Sequence, residues 1–218
     1  MNKFSDKPRE YSENTEIVRI SVANLVSDIN WKIVGIVNKK RLKLWMKNIW
    51  LIGWGATLFN KTLIEELGGF DFEKDDVRFK IPASVLDQMI HIFSQENSFL
   101  YERAIYRELT EELSKEIIWN MKKPILTEEE CYEFTPKFIG TVYSEWYWSS
   151  EKREILTKYI WHIFSLKWPA YIVEKMEKHE IVYFLDEADF SREETSDWFN
   201  LWPNVMAVKE FLDNKNKQ

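Results

Sequence analysis

Cysteine is nearly absent from this sequence. Cys131 is the only one among 218 residues. No intrachain disulfide can form, and a Cys-x-x-Cys zinc site is excluded. Histidine is scarce as well. His91, His162 and His179 stand far apart and show neither His-x-x-x-His nor His-Glu-x-x-His spacing, which points away from zinc. Six glycines and six prolines are too few for a collagen-like or low-complexity chain. No run of about 18 apolar residues is present, so no transmembrane helix and no membrane partner are expected. The opening MNKFSDKPREYSENTE has no apolar core of the kind a secretory signal carries, and the cytoplasm is the expected compartment. Positive charge is also in deficit. Lys and Arg number 30 against 36 Asp and Glu, a net −6, and duplex nucleic acid is therefore not an expected partner.

What remains is an ordinary globular composition with 45% hydrophobic and 30% charged residues. A chain of this length buries roughly 70% of its unfolded surface and needs no staple. The unusual abundance is 11 Trp. Large rings serve either as packing or as stacking platforms for a nucleobase. Tyr143, Trp146 and Trp148, and Trp50 with Trp54, are the two clusters for which both readings stand.

Periodicity predicts an α/β domain over 16–213, with polar tails at 1–15 and 214–218. Alternation predicts strands at 16–26, 31–38, 77–82, 131–149, 151–168 and 181–185. A turn is expected at 27–30. The apolar run 48–59 reads as a strand in which Gly53 and Gly55 mark a bulge or a close backbone approach. The stretch 60–76 reads as a loop or hairpin arm turning at Gly68-Gly69. Helical spacing predicts helices over 83–95, 99–118 and 202–214, the last with Pro203 in its first turn. Residues 173–180 read as a polar approach to the following strand, and 186–200 as a loop or a short turn of helix.

The chemistry concentrates in Arg107-Glu108-Leu109-Thr110-Glu111-Glu112-Leu113. On a helix Glu108, Glu111 and Glu112 share one face, while Ile105, Leu109 and Leu113 line the neighbouring one. Like charges within one turn repel by a few tenths of a kcal/mol per pair, roughly. A divalent cation would neutralise them, and oxygen-only donors suit Mg²⁺ or Mn²⁺. Arg107 can pair with Glu111 one turn on. A solvated acidic face uses the same letters, as Glu65-Glu66, Glu129-Glu130 and Glu193-Glu194 illustrate.

This run resembles the box of the Nudix hydrolase superfamily, which reads Arg-Glu-(apolar)-x-Glu-Glu-x-Gly in its second half. Glu102-Arg103-Ala104-Ile105-Tyr106 resembles its usual flank, Leu51-Ile52-Gly53-Trp54-Gly55 stands where the family has a Pro-Gly-Gly turn, and the stretch from His179 to Glu187 is similar to its last strand and acidic loop. The sequence departs from the pattern at Trp54, which splits the glycine pair, at Phe99, which stands where the opening Glu belongs, and at Ser114, which replaces the last Gly. An insertion over 57–98 is implied, a shape similar to the SMODS-associated Nudix group linked to nucleotide-signalling antiviral systems of bacteria.

The resemblance implies a Nudix-like α/β/α sandwich with a mixed sheet and a Mg²⁺-dependent hydrolase of a phosphoanhydride in a nucleotide or nucleoside diphosphate derivative. It implies metal ligands Glu108, Glu111, Glu112 and the Gly55 carbonyl. Glu112 or Glu108 would take the water proton, with Arg107 orienting the carboxylates. Trp54, Trp146 and Glu180 are the candidates for contact with substrate, and a homodimer is compatible with the family. The alternative is a nucleotide-sensing module of a defence system that binds without turnover.

Overall fold

The structure is a computed structural model of the whole chain. It describes residues 17–37, 47–58, 60–73, 77–94, 101–102, 109–110, 113–114, 124–150 and 153–215. In chain order the elements are β1 (Ile17–Ile29), β2 (Ile33–Val37), β3 (Asn48–Leu51), β4 (Gly53–Gly55), β5 (Thr57–Leu58), α1 (Lys61–Glu66), β6 (Arg78–Pro82), α2 (Leu86–Ser94) and β7 (Tyr101–Glu102). They continue as β8 (Thr135–Ser150), β9 (Arg153–Lys167), α3 (Ala170–Glu177), β10 (Val182–Leu185), α4 (Glu187–Arg192), β11 (Asn200–Leu201) and α5 (Pro203–Lys215). The fold is mixed α/β. Among the described residues no helix is long and apolar enough to cross a membrane.

The chain divides into two compact units. The first takes Met1–Val22, Thr57–Glu102 and Tyr143–Ile160. Here the start of β1 pairs antiparallel with β6, Ile17 opposite Pro82 through Ser21 opposite Arg78. Alternation along β6 turns Phe79 and Ile81 inward, where Phe79 meets Phe93 of α2 at 5.8 Å between ring centroids. Met89 and Phe93, one turn apart on α2, are fully buried as their spacing predicts. The segment 57–98, implied to be an insertion, lies wholly in this unit.

Two expectations fail in this unit. The stretch after residue 60 is not simply a loop: α1 forms there because the Asn60 side chain caps it, accepting from the Leu63 amide at 3.1 Å. The turn at Gly68-Gly69 does follow, with Gly68 at φ +94, a conformation glycine adopts freely. The start of the helix expected over 99–118 is the second, although Leu109, Thr110 and Leu113 within its span are helical. Tyr101 and Glu102 are β7, paired antiparallel with Leu58 and Thr57 of β5.

The second unit takes Ala23–Ala56, Arg103–Val142 and Trp161–Gln218. Within it β4 pairs antiparallel with Ala23–Leu25 of β1, and a four-stranded sheet runs β10-β2-β3-β11. The latter is mixed, since β11 runs parallel to β3 while β2 is antiparallel to both its neighbours. The expected single strand over 48–59 is three short ones. Gly53 shows why: a Cβ there would meet Leu25 Cδ2 at 2.4 Å and the Asn24 carbonyl at 3.0 Å, the close backbone approach that glycine in a strand signals.

The turn expected at 27–30 is displaced toward the C-terminus. Ser27 and Asp28 are buried inside β1, and the chain reverses at Asn30-Trp31. The polar approach expected at 173–180 is mostly helix α3, which buries Ile172, Val173 and Met176 on one face. The C-terminal helix α5 stands where Pro203 predicts it.

Candidate functional site

The predicted metal helix is described at its apolar positions. Leu109 and Leu113, the anchors one turn apart, are helical and fully buried, and Thr110 between them is 2% exposed. The Leu113 carbonyl accepts from the Ile125 and Leu126 amides at 2.9 and 3.0 Å, and the Leu109 carbonyl accepts from Cys131 Sγ at 3.9 Å. Ser114, standing where the family pattern has glycine, turns its hydroxyl back onto the Thr110 carbonyl at 2.9 Å. Its amide bonds the same oxygen. Arg107, Glu108, Glu111 and Glu112 themselves, with Ile105, lie outside the described residues.

The second half of the expected constellation is strand β4. It pairs antiparallel with β1, Ala23 opposite Gly55, Asn24 opposite Trp54 and Leu25 opposite Gly53. The side chain of Trp54 is outside what the structure describes. Opposite it sits a residue that the sequence reading missed. Asn24 is fully buried, and among the described residues neither end of its amide has a hydrogen-bond partner. Burial of a bare amide costs about 1–3 kcal/mol. No pattern in the sequence singles it out, since Asn24 stands between apolar residues in an otherwise unremarkable strand.

That amide bears on whether a hard cation fits here. Its oxygen and the Gly55 carbonyl are donors of the type Mg²⁺ accepts. Among the described residues no group of three or more His, Cys, Asp or Glu could hold a metal ion. Glu108, Glu111 and Glu112 lie outside that set.

The remaining predicted contacts are scattered. Glu180 is exposed in the turn that leads into β10. Trp146 lies in β8, with its side chain outside the described residues. Trp50 is drawn into packing, stacked on Trp202 at 4.6 Å and 12°. Tyr143 is half exposed and donates its hydroxyl to Ser94 Oγ at 2.5 Å. His162 is fully buried edge-on to Phe138. Cys131 is buried too, and burial, reinforced by the Glu130 charge, pushes its thiol up to about 11. It stays protonated at neutral pH, unsuited to nucleophilic work.

A second polar feature, also missed, closes the β1–β2 hairpin. The Asp28 carboxylate accepts from Ser27 Oγ at 2.8 Å, Ser165 Oγ at 2.7 Å and the Trp31 amide at 3.1 Å. Asn30 bonds the backbone of Trp168 in both directions, donating to its carbonyl at 2.9 Å and accepting from its amide at 3.0 Å. Comparison of this chain with protein-family models, with curated proteins and with solved structures found no match.

Proposed function

We propose that this protein is a cytoplasmic, Mg²⁺- or Mn²⁺-dependent hydrolase of a phosphoanhydride in a nucleotide or nucleotide-derived small molecule. Its fold would be of the Nudix-like α/β/α sandwich type, and its setting a bacterial antiviral nucleotide-signalling system. The observation that carries the reading is the complete burial of Leu109 and Leu113. These are the two residues that must face inward if the intervening glutamates are to be presented together. The bare Asn24 amide opposite Trp54, one residue from Gly55, adds a polar group in want of a partner beside the other expected ligand.

In this reading Glu108, Glu111, Glu112 and the Gly55 carbonyl hold the cation. When bound, it neutralises the diphosphate and acidifies water. Glu112 or Glu108 accepts the proton of the attacking water, and Arg107, paired with Glu111, keeps the carboxylates in register. The alternative, a sensor that binds without turnover, is favoured by Trp54 within the glycine pair and by Phe99 in place of the opening glutamate.

The test is a screen of nucleoside triphosphates, dinucleotides and nucleotide sugars with Mg²⁺ or Mn²⁺, read by chromatography. Turnover that falls by about a hundredfold or more in Glu111→Gln and Glu112→Gln supports the hydrolase. Saturable binding without turnover supports the sensor. No binding and no turnover removes both.

A further inference from the structure

We infer that the tip of the β1–β2 hairpin is a binding site for a small aromatic anion, a planar ring bearing a phosphate-like group. Among the described residues its lining includes none from the Arg107–Leu113 stretch. Ile29 and Lys32 exchange backbone hydrogen bonds at 2.8 and 3.1 Å, which closes a two-residue loop of Asn30 at φ +50 and Trp31 at φ +73. Asparagine followed by glycine is the pair this loop selects, because both positions need positive φ. Tryptophan at the second position is strained. Trp31 is 83% exposed, so little packing offsets that strain.

The backbone nonetheless cannot relax. Asn30 is locked to Trp168 on both sides, and the Trp31 amide is held by the buried Asp28 carboxylate, which Ser165 and Ser27 hold in turn. A strained, immobilised and exposed ring is the signature of a residue kept for contact rather than stability.

The surroundings define what it contacts. A cleft of about 380 Å³ beside the ring is lined by Asn30, Trp31, Thr135, Lys137, Ser165 and Lys167, together with Leu166. Among the described residues its lining holds two lysines and no carboxylate, in a chain whose net charge is −6. Lys137 and Lys167 are exposed and make no hydrogen bond or ion pair among the described residues. The adjoining cleft of about 490 Å³ shares Trp31, Lys137 and Ser165, but its own lysines are engaged. Lys209 bonds Asp213 and Glu187, and Lys215 bonds the Ile139 carbonyl. Uncommitted positive charge therefore gathers next to the ring. A pocket of this size suits a mononucleotide, with the ring stacked on Trp31 and the anion between Lys137 and Lys167.

The test is calorimetric titration of the full chain with AMP in EDTA at low salt, with adenosine and inorganic phosphate as partial probes. AMP should bind saturably, and each partial probe should bind about tenfold more weakly or worse. Trp31→Gly should weaken AMP by about tenfold or more while raising Tm by about 2–4 °C, because glycine relieves the turn. Lys137→Ala with Lys167→Ala should lower AMP affinity several-fold and flatten its salt dependence. Glu111→Gln with Glu112→Gln should leave it unchanged, so failure here and failure of the hydrolase reading are separate results. Absence of AMP saturation at millimolar concentration, AMP affinity indifferent to Trp31→Gly, a lowered Tm in that variant, or binding of a single-stranded oligonucleotide but not AMP would each overturn the inference.

Discussion

Asn24 and Asp28 stand four residues apart on β1, both at 5% exposure or less. Among the described residues one has no partner for its amide, and the other satisfies its carboxylate with three donors. The difference shows that burial alone does not define the role of a polar side chain. Asp28 ties the hairpin tip to β9, and its charge is tolerated inside because hydrogen bonds replace water. Asn24 has no such compensation, so its stability cost must be offset elsewhere. In the proposed site that cost has a use, because Asn24 lies opposite Trp54.

The comparison can be tested from its stronger side first. Asp28→Ala should destabilise the protein by about 3 kcal/mol, since the Ser165 hydroxyl and the Trp31 amide lose their acceptor at once and the Ser27 hydroxyl is left with the Phe164 carbonyl alone. Denaturant unfolding measures this, and a loss under about 1 kcal/mol would mean that water or a neighbour replaces the carboxylate. Gly53→Ala should cost about 2 kcal/mol through overlap with Leu25 and the Asn24 carbonyl. That variant sharpens the contrast, because the same close approach of β4 helps to enclose Asn24.

Asn24→Leu should change stability in the opposite direction, gaining about 1 kcal/mol by replacing a bare amide with an apolar group. A loss of similar size would break the comparison by showing that the amide is paired in solution. The smallest effect concerns Cys131. Its thiol is raised from 9.0 to about 11 by burial, so the folded state holds its proton more tightly than the unfolded chain. Stability should therefore fall slightly as pH rises from about 9 toward 11. Thiol labelling at pH 8 should require unfolding.

Local pattern made much of the fold legible. Alternating apolar residues predict β1, β2, β6, β9 and β10, and helical spacing with Pro203 predicts α5. The misses have physical causes. β7 is two residues long and exists only because Thr57 and Leu58 are brought beside it. α3 is eight residues long and buries only Ile172, Val173 and Met176, too short a pattern to separate from a polar approach. α1 depends on a single cap.

The candidate site was legible only where it has a motif. Arg107 to Leu113 is recognisable in the sequence because helical periodicity separates its apolar anchors from its charges, and Leu109 and Leu113 are buried accordingly. Asn24, Asp28 and Trp31 carry no comparable signal. An asparagine among valines does not reveal that its amide is bare, and Asn-Trp does not read as a two-residue turn because glycine is missing.

Composition and periodicity by themselves established that this chain forms strands and helices without disulfide support, with three glutamates in one short stretch. Those properties depend on neighbours within a few residues, where repeat and charge are visible directly. Only the tertiary structure decided that Ser165 would reach Asp28, that Trp168 would clamp Asn30 and that Trp31 would stand beside two uncommitted lysines. These contacts join residues more than a hundred positions apart, and the free energy that selects them comes from packing whole strands together rather than from any local preference.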